Sequence, residues 1–166
     1  MGLATAQALM ARGGWHIHIL DFNPAAGEAA VAGLGSSATF HQVDVTSYST
    51  LGSVFMTIFQ IANRIDFVFA NAGIAETANF YAYHDTGIEP PSDIPQMDAV
   101  VDICVKGVIS TAYLALHYFR LCPQENKGER NLVITSSCGG VYPSYCSPVY
   151  TATKHGKALH SIPWTL

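Results

Sequence analysis

Short apolar runs of strand length alternate with helix-length segments along most of the chain, and each run closes on a small polar or acidic residue. The runs are Trp15–Leu20, Thr39–Val43, Asp66–Ala70 and Asn131–Ser136. Between them the spacing predicts helices over about Leu3–Arg12, Ala25–Leu34, Tyr48–Asn63 and Met97–Leu121, with a last helix starting near Val149 and running towards Pro163. Gly13-Gly14, Asn23-Pro24, Gly33 and Gly35 punctuate the early elements. Alternation of this kind predicts an α/β fold, a parallel sheet with helices on both faces. Ligands of such sheets sit beyond the carboxyl ends of the strands. The residues to read for chemistry are therefore Asp21, Asp44, Asn71-Ala72-Gly73 and Ser136-Ser137. The connection Ile74–Gln96, with Pro90, Pro91 and Pro95, is long for a compact domain, which marks it as serving a site.

Composition narrows the classes further. At 166 residues the chain is one domain or part of one. Hydrophobic residues make up 49% and charged residues only 12%, which excludes a disordered polyelectrolyte. The net charge is −4 and the eight lysines and arginines are scattered, which argues against nucleic-acid binding. The longest apolar candidate, Val108–Phe119, is shorter than the roughly 20 residues a membrane span needs, so no span is expected. No basic start with an apolar run opens the chain, so a soluble, cytoplasmic protein is expected. The four cysteines form no CxxC pair and read as free thiols. His16 and His18 would share one strand face, but third and fourth ligands cannot be placed, so no metal site is expected.

The strongest chemical signal is Tyr150-Thr151-Ala152-Thr153-Lys154. Four residues is about one helical turn, so both end side chains share a face. A free tyrosine is a poor base at neutral pH, and a nearby ammonium favours its phenolate. Such a pair can move a proton to or from a hydroxyl or carbonyl oxygen. Ser137 lies 13 residues earlier, at the end of the preceding strand.

Taken together, Asp21, Asp44-Val45, Asn71-Ala72-Gly73, Ser137 and Tyr150-x-x-x-Lys154 resemble the short-chain dehydrogenase/reductase family over essentially the whole chain. Pro148–Gly156 looks most like the branch that contains the hydroxyprostaglandin dehydrogenases. The resemblance implies a Rossmann-like doubly wound parallel sheet and an NAD(P)-dependent oxidoreductase interconverting a secondary alcohol and a ketone. It implies Tyr150 as acid/base, Lys154 tuning it and holding the nicotinamide ribose, and Ser137 bonding the substrate oxygen. Gly2, Asn71, Ala72 and Gly73 would line the cofactor, and Asp44 and Val45 would contact the adenine. Asp21 would bind the adenosine ribose hydroxyls, favouring NAD over NADP because no cation follows in Phe22 or Asn23. Ser147 would face a small apolar substrate, with Phe80, Tyr81, Tyr83, Tyr142 and Tyr145 shaping its pocket. The family's oligomer interfaces suggest a homo-oligomer. Each strand-end residue also has a plainer role: Asp21 can close a turn, Asp44 can cap a helix and Ser137 can simply end a strand.

Three departures set limits on that reading. Of the family's Thr-Gly-x-x-x-Gly-x-Gly turn only Gly2 remains, and the strand before it is missing; that strand would sit between Trp15–Leu20 and Asp66–Ala70. The family's last two strands are missing after Pro163-Trp164-Thr165-Leu166. Cys104 holds the position where the family usually carries an asparagine, and a thiol is a weak hydrogen-bonding group. Residues 1–166 are thus expected to be a partial dinucleotide-binding domain, first strand and last two strands absent. The alternative function is a catalytically inactive remnant acting as an interaction protein.

Overall fold

The computed structural model describes residues 1–82, 86–123 and 130–156. Helix α1 (Gly2–Arg12) ends at Gly13 and Gly14, both at positive φ (73° and 77°), a conformation that costs little without a Cβ. Strand β1 (Ile17–Asp21) starts two residues later than the apolar run predicts. Trp15 instead packs edge-on against Phe67, with ring centroids 6.4 Å apart. Helix α2 (Pro24–Leu34) is opened by Pro24 and by the Asn23 side chain, which accepts from the Ala26 N–H. It lies so close to strand β2 (Ala38–Gln42) that a Cβ on Gly27 would come within 2.0 Å of the Phe40 ring.

Helix α3 (Tyr48–Ala62) buries Leu51 and Phe55 and stops at Asn63, which adopts the left-handed conformation. Strand β3 (Phe67–Ala70) follows. Helix α4 (Met97–Val101), a π-helical turn (Asp102–Gly107) and helix α5 (Val108–Leu121) then form one continuous helix over the predicted span. The wide turn was not foreseen. Strand β4 (Asn131–Ile134) is two residues shorter than expected, since the chain turns into a single 3-10 turn at Cys138–Gly140. Helix α6 (Pro148–His155) begins one residue early, at a proline suited to the first helical position. The expected continuation towards Pro163 and the residue Tyr83 lie outside the described residues.

Strands β1 and β2 pair in parallel, with Ile17 opposite Ala38, and β3 pairs in parallel with β4, with Phe67 opposite Asn131. The two pairs are not hydrogen-bonded to each other. Among the described residues no strand joins the two pairs, which approach each other where Trp15 packs on Phe67. Helices cover both faces. Ala6, Ile17 and Leu34 form a small cluster under α1 and α2. Val43, Leu51, Phe55, Ile65, Leu114, Ala115 and Phe119 form the main core under α3 and α5, with Leu20, Val68 and Leu132 from the strands.

The apolar run Val108–Phe119 lies within a longer helix. Met97–Leu121 is a 25-residue helix with an 18-residue window of mean hydropathy 1.7, long and apolar enough to cross a membrane. The uninterrupted run Val108–Phe119 understates it because the π turn continues the helix without a break. Here its α5 part packs on α3, β3 and β4 as a core helix.

Candidate active site

Parallel pairing brings Asp21 and Asp44 to one end of β1–β2, and Asn71 and Ser137 to one end of β3–β4. Val45 lies against Gly107 and Gly73 against Cys104, and since Gly107 and Cys104 both belong to the π turn, these contacts bring those two ends together. Backbone bonds extend this rim past the strands. The Thr135 N–H donates to the Ala70 carbonyl at 3.1 Å, and the Thr135 hydroxyl donates to Asn71 Oδ1 at 3.1 Å. Asn71 in turn lies against the start of α1, where a Cβ on Gly2 would stand 3.1 Å from Nδ2. The first N–H groups of α1, which lack intrahelical partners, therefore open beside the Asn71-Ala72-Gly73 turn.

The second half of the site hangs on α6. Tyr150 is half-buried and Lys154, one turn on, is only 3% exposed. Lys154 Nζ lies 5.1 Å from the centroid of the Tyr150 ring and donates to the Thr135 carbonyl at 3.4 Å. Two glycines show how the pieces converge. A Cβ on Gly139 would lie 3.6 Å from Ser137 Oγ and 3.7 Å from the Tyr150 ring, so hydroxyl and ring edge border one space. A Cβ on Gly73 would lie 3.6 Å from Lys154 Nζ and 3.5 Å from Cys104 Sγ. Ser137, Tyr150, Lys154, Gly73 and Cys104 thus form one constellation, drawn from four separate stretches of chain. Gly140 permits it, because a Cβ there would meet the Lys154 carbonyl and Ser136 Oγ at 2.8 Å.

Several of these groups already have protein partners. Ser137 Oγ accepts from the Gly139 N–H at 3.2 Å, opening the 3-10 turn. Asp21 Oδ1 accepts from the Asn23 N–H at 2.9 Å, and Asp44 Oδ1 accepts from both the N–H and the hydroxyl of Thr46. Both carboxylates thus close short turns; Asp44 does not cap α3, whose cap position is Ser47, and both stay exposed at the strand ends. Val45 packs on Gly107 in the π turn, where a Cβ would come within 2.9 Å of its side chain. Ser147 stands at the cap position of α6, yet its hydroxyl makes no cap bond.

The cap comes from elsewhere. The buried Glu76 accepts the Tyr150 N–H at Oε2 over 2.6 Å. Nothing in the local pattern around residue 76 announces this, since the bond joins residues 74 apart. Cys104 donates its thiol hydrogen to the Ile74 carbonyl at 3.2 Å, another bond between the long helix and the turn after β3. A wide turn in a long helix is a known companion of functional sites, and here it sits where Cys104 meets the turn.

A separate apolar hollow of about 480 Å³ is lined by Phe80, Ile94, Met97, Val101 and Val105 together with Val149 and Ala152 of α6. By helical periodicity those α6 positions face away from Tyr150 and Lys154. Phe80 therefore packs at this hollow, away from Ser137, Tyr150 and Lys154. Tyr81, Tyr142 and Tyr145 are exposed.

A family model described as short chain dehydrogenase matches residues 1–161. A short-chain dehydrogenase/reductase of Penicillium rubens, prx7, is 47% identical over 162 residues, covering 94% of this chain and 55% of that protein. The human 15-hydroxyprostaglandin dehydrogenase that is named for NAD(+) is 29% identical, covering 94% of this chain and 53% of its own length. Among solved structures, NAD+-bound xylitol dehydrogenase superposes with a TM-score of 0.74 at 29% identity, over 93% of this chain and 55% of that one. The chain belongs to the short-chain dehydrogenase/reductase family, and its fold is that family's Rossmann-like one in partial form. It spans about half the length of the curated relatives it matches.

Proposed function

We propose that this protein is an NAD-dependent oxidoreductase interconverting a secondary alcohol and a ketone on a small apolar substrate. The observation that carries the reading is the convergence of Ser137 Oγ and the Tyr150 ring over Gly139, with Lys154 beneath the ring. Tyr150 takes the proton of the substrate hydroxyl during oxidation and returns it during reduction. The Lys154 ammonium, held by the Thr135 carbonyl, favours negative charge on the phenolic oxygen. Ser137 donates to the substrate oxygen and steadies the charge that develops on it. Exposed Tyr142 and Tyr145, on the segment between Ser137 and Ser147, supply apolar surface for the rest of the substrate.

The residues present fit parts of a dinucleotide. Gly73 lets the turn lie close beside Lys154, whose ammonium would reach the nicotinamide ribose, and the exposed Asp21 carboxylate suits two ribose hydroxyls while repelling a 2′-phosphate. Asn71, Ala72 and Gly2 would border the middle of the molecule, and Asp44 and Val45 the adenine. Bound there, the nicotinamide would supply or accept the hydride. For the pyrophosphate, the described residues offer only the start of α1.

The test is NAD+-dependent oxidation of a panel of apolar secondary alcohols, followed at the NADH absorbance band in the protein as the cell makes it. Tyr150→Phe should lower kcat at least about 100-fold. Turnover that survives this substitution would remove Tyr150 from the mechanism. The second reading, a non-catalytic interaction protein, is favoured by Cys104, whose weakly bonding thiol is directed to the Ile74 carbonyl. It predicts no turnover with any member of the panel and no response to Tyr150→Phe.

A further inference from the structure

The helix that carries Tyr150 and Lys154 has an unusual start. Ser147 is of the residue type that normally caps a helix, but its side chain makes no such bond. Pro148 has no N–H to offer. The first available bond is made by Glu76, which reaches in from the turn after β3 and accepts the Tyr150 N–H at 2.6 Å. Glu76 is 7% exposed, one of three buried polar or charged residues described, the others being Thr153 and Lys154. A carboxylate is favourable at a helix N-terminus, where the peptide dipoles leave partial positive charge. Burying it is costly unless it has a partner to repay the lost solvation.

The turn bearing Glu76 is itself braced. Gln96 Oε1 accepts from the Thr77 N–H at 2.6 Å and from the Ala78 N–H at 3.0 Å, and Gln96 Nε2 donates to Thr77 Oγ1 at 3.0 Å. Gln96 does this from the cap position of α4, at a positive φ of 58°. On the other side, Ile74 receives the Cys104 thiol and Gly73 borders Lys154 Nζ. Glu76 therefore sits on a short stretch tied at both ends, three residues beyond Gly73.

We propose that Glu76 is a positioning residue: its carboxylate holds the Tyr150 main chain and so sets the phenol and the Lys154 ammonium against the Asn71-Ala72-Gly73 turn. Any group bound on that turn is thereby held in register with Tyr150. The proposal rests on the dehydrogenase reading for its catalytic consequence, while the positioning itself does not. Since a misplacement of about 1 Å costs on the order of 100-fold in rate, losing this bond matters even though Glu76 touches no reacting atom.

The test compares Glu76→Ala with Glu76→Gln, because glutamine keeps an acceptor oxygen of the same reach. Selective 15N-tyrosine labelling reads the Tyr150 amide by hydrogen exchange, and steady-state kinetics read the consequence. Glu76→Ala should speed Tyr150 amide exchange at least about tenfold and lower kcat roughly 10- to 100-fold, with the KM for NAD+ within about twofold. Glu76→Gln should restore exchange and kcat to within about threefold of the original. Unchanged Tyr150 exchange in Glu76→Ala, or a Glu76→Gln as impaired as the alanine variant, overturns the proposal. If the unsubstituted protein shows no turnover, the dehydrogenase reading fails, and the exchange comparison still decides whether Glu76 holds Tyr150.

Discussion

Acidification should loosen the β1–β2 pair through two histidines. His18 Nδ1 and His41 Nε2 are 3.0 Å apart across these strands, one nitrogen donating to the other. His16 lies beside His18, with ring centroids 4.8 Å apart and the rings tilted by 47°, and its Nε2 is hydrogen-bonded with Thr39 Oγ1. Burial and the neighbouring imidazoles push His18 down from 6.5 to about 4, and burial also lowers His41. The folded state thus holds its proton less tightly than the unfolded chain does. Stability from this source is full above about pH 6.5, declines as the pH falls, and is gone near pH 4. At face value the displacement of His18 is worth about 3.4 kcal/mol. Because the ring is only half-buried, solvent screening reduces that to roughly 1–2 kcal/mol. Urea unfolding followed by tryptophan fluorescence, between about pH 7.5 and pH 4, measures it. His18→Gln keeps a hydrogen-bonding group without a titration in this range, so its stability should fall less across the interval, by that same roughly 1–2 kcal/mol. If His18→Gln and the original lose equal stability on acidification, the histidine pair is not the cause.

Gly27→Ala should destabilise by about 1–3 kcal/mol in the same unfolding assay, since its Cβ would enter the Phe40 ring and α2 must lift off β2. Leu51→Ala, at a position 1% exposed in the main core, should cost about 2–5 kcal/mol. The 166 residues alone should bind NADH weakly in a fluorescence titration, because the described residues offer a pyrophosphate only the start of α1; micromolar binding would contradict this. They should also self-associate, since β1 and β3 each leave one edge unpaired among the described residues and Ile61, Tyr113 and Val141 are among the exposed apolar side chains. A monodisperse, cooperatively melting monomer in analytical ultracentrifugation and calorimetry would show those edges to be harmless.

The order of elements was legible because periodicity is a local property. The runs at residues 17–21, 38–42 and 67–70 carry strand spacing, and the helices between them carry apolar stripes. Their boundaries were less legible, because contacts distant in sequence set them. Trp15 leaves β1 to meet Phe67, and the turn at Cys138–Gly140 cuts β4 short. The Tyr150-x-x-x-Lys154 pair was readable because four residues make one helical turn, whatever surrounds it.

By itself the sequence determined the alternation, the strand ends that form the rim, the family, and the helix face shared by Tyr150 and Lys154. Only the tertiary structure decided what those residues meet. It placed Ser137 and Tyr150 on either side of Gly139, set Lys154 against Thr135 and Gly73, and brought His41 to His18. It also revealed Glu76 at the head of α6 and Cys104 in a π turn against Ile74. The physical reason is range. Helix and strand patterns arise from bonds a few residues long, whereas a site is made by side chains many tens of residues apart, whose meeting depends on how helices and strands pack.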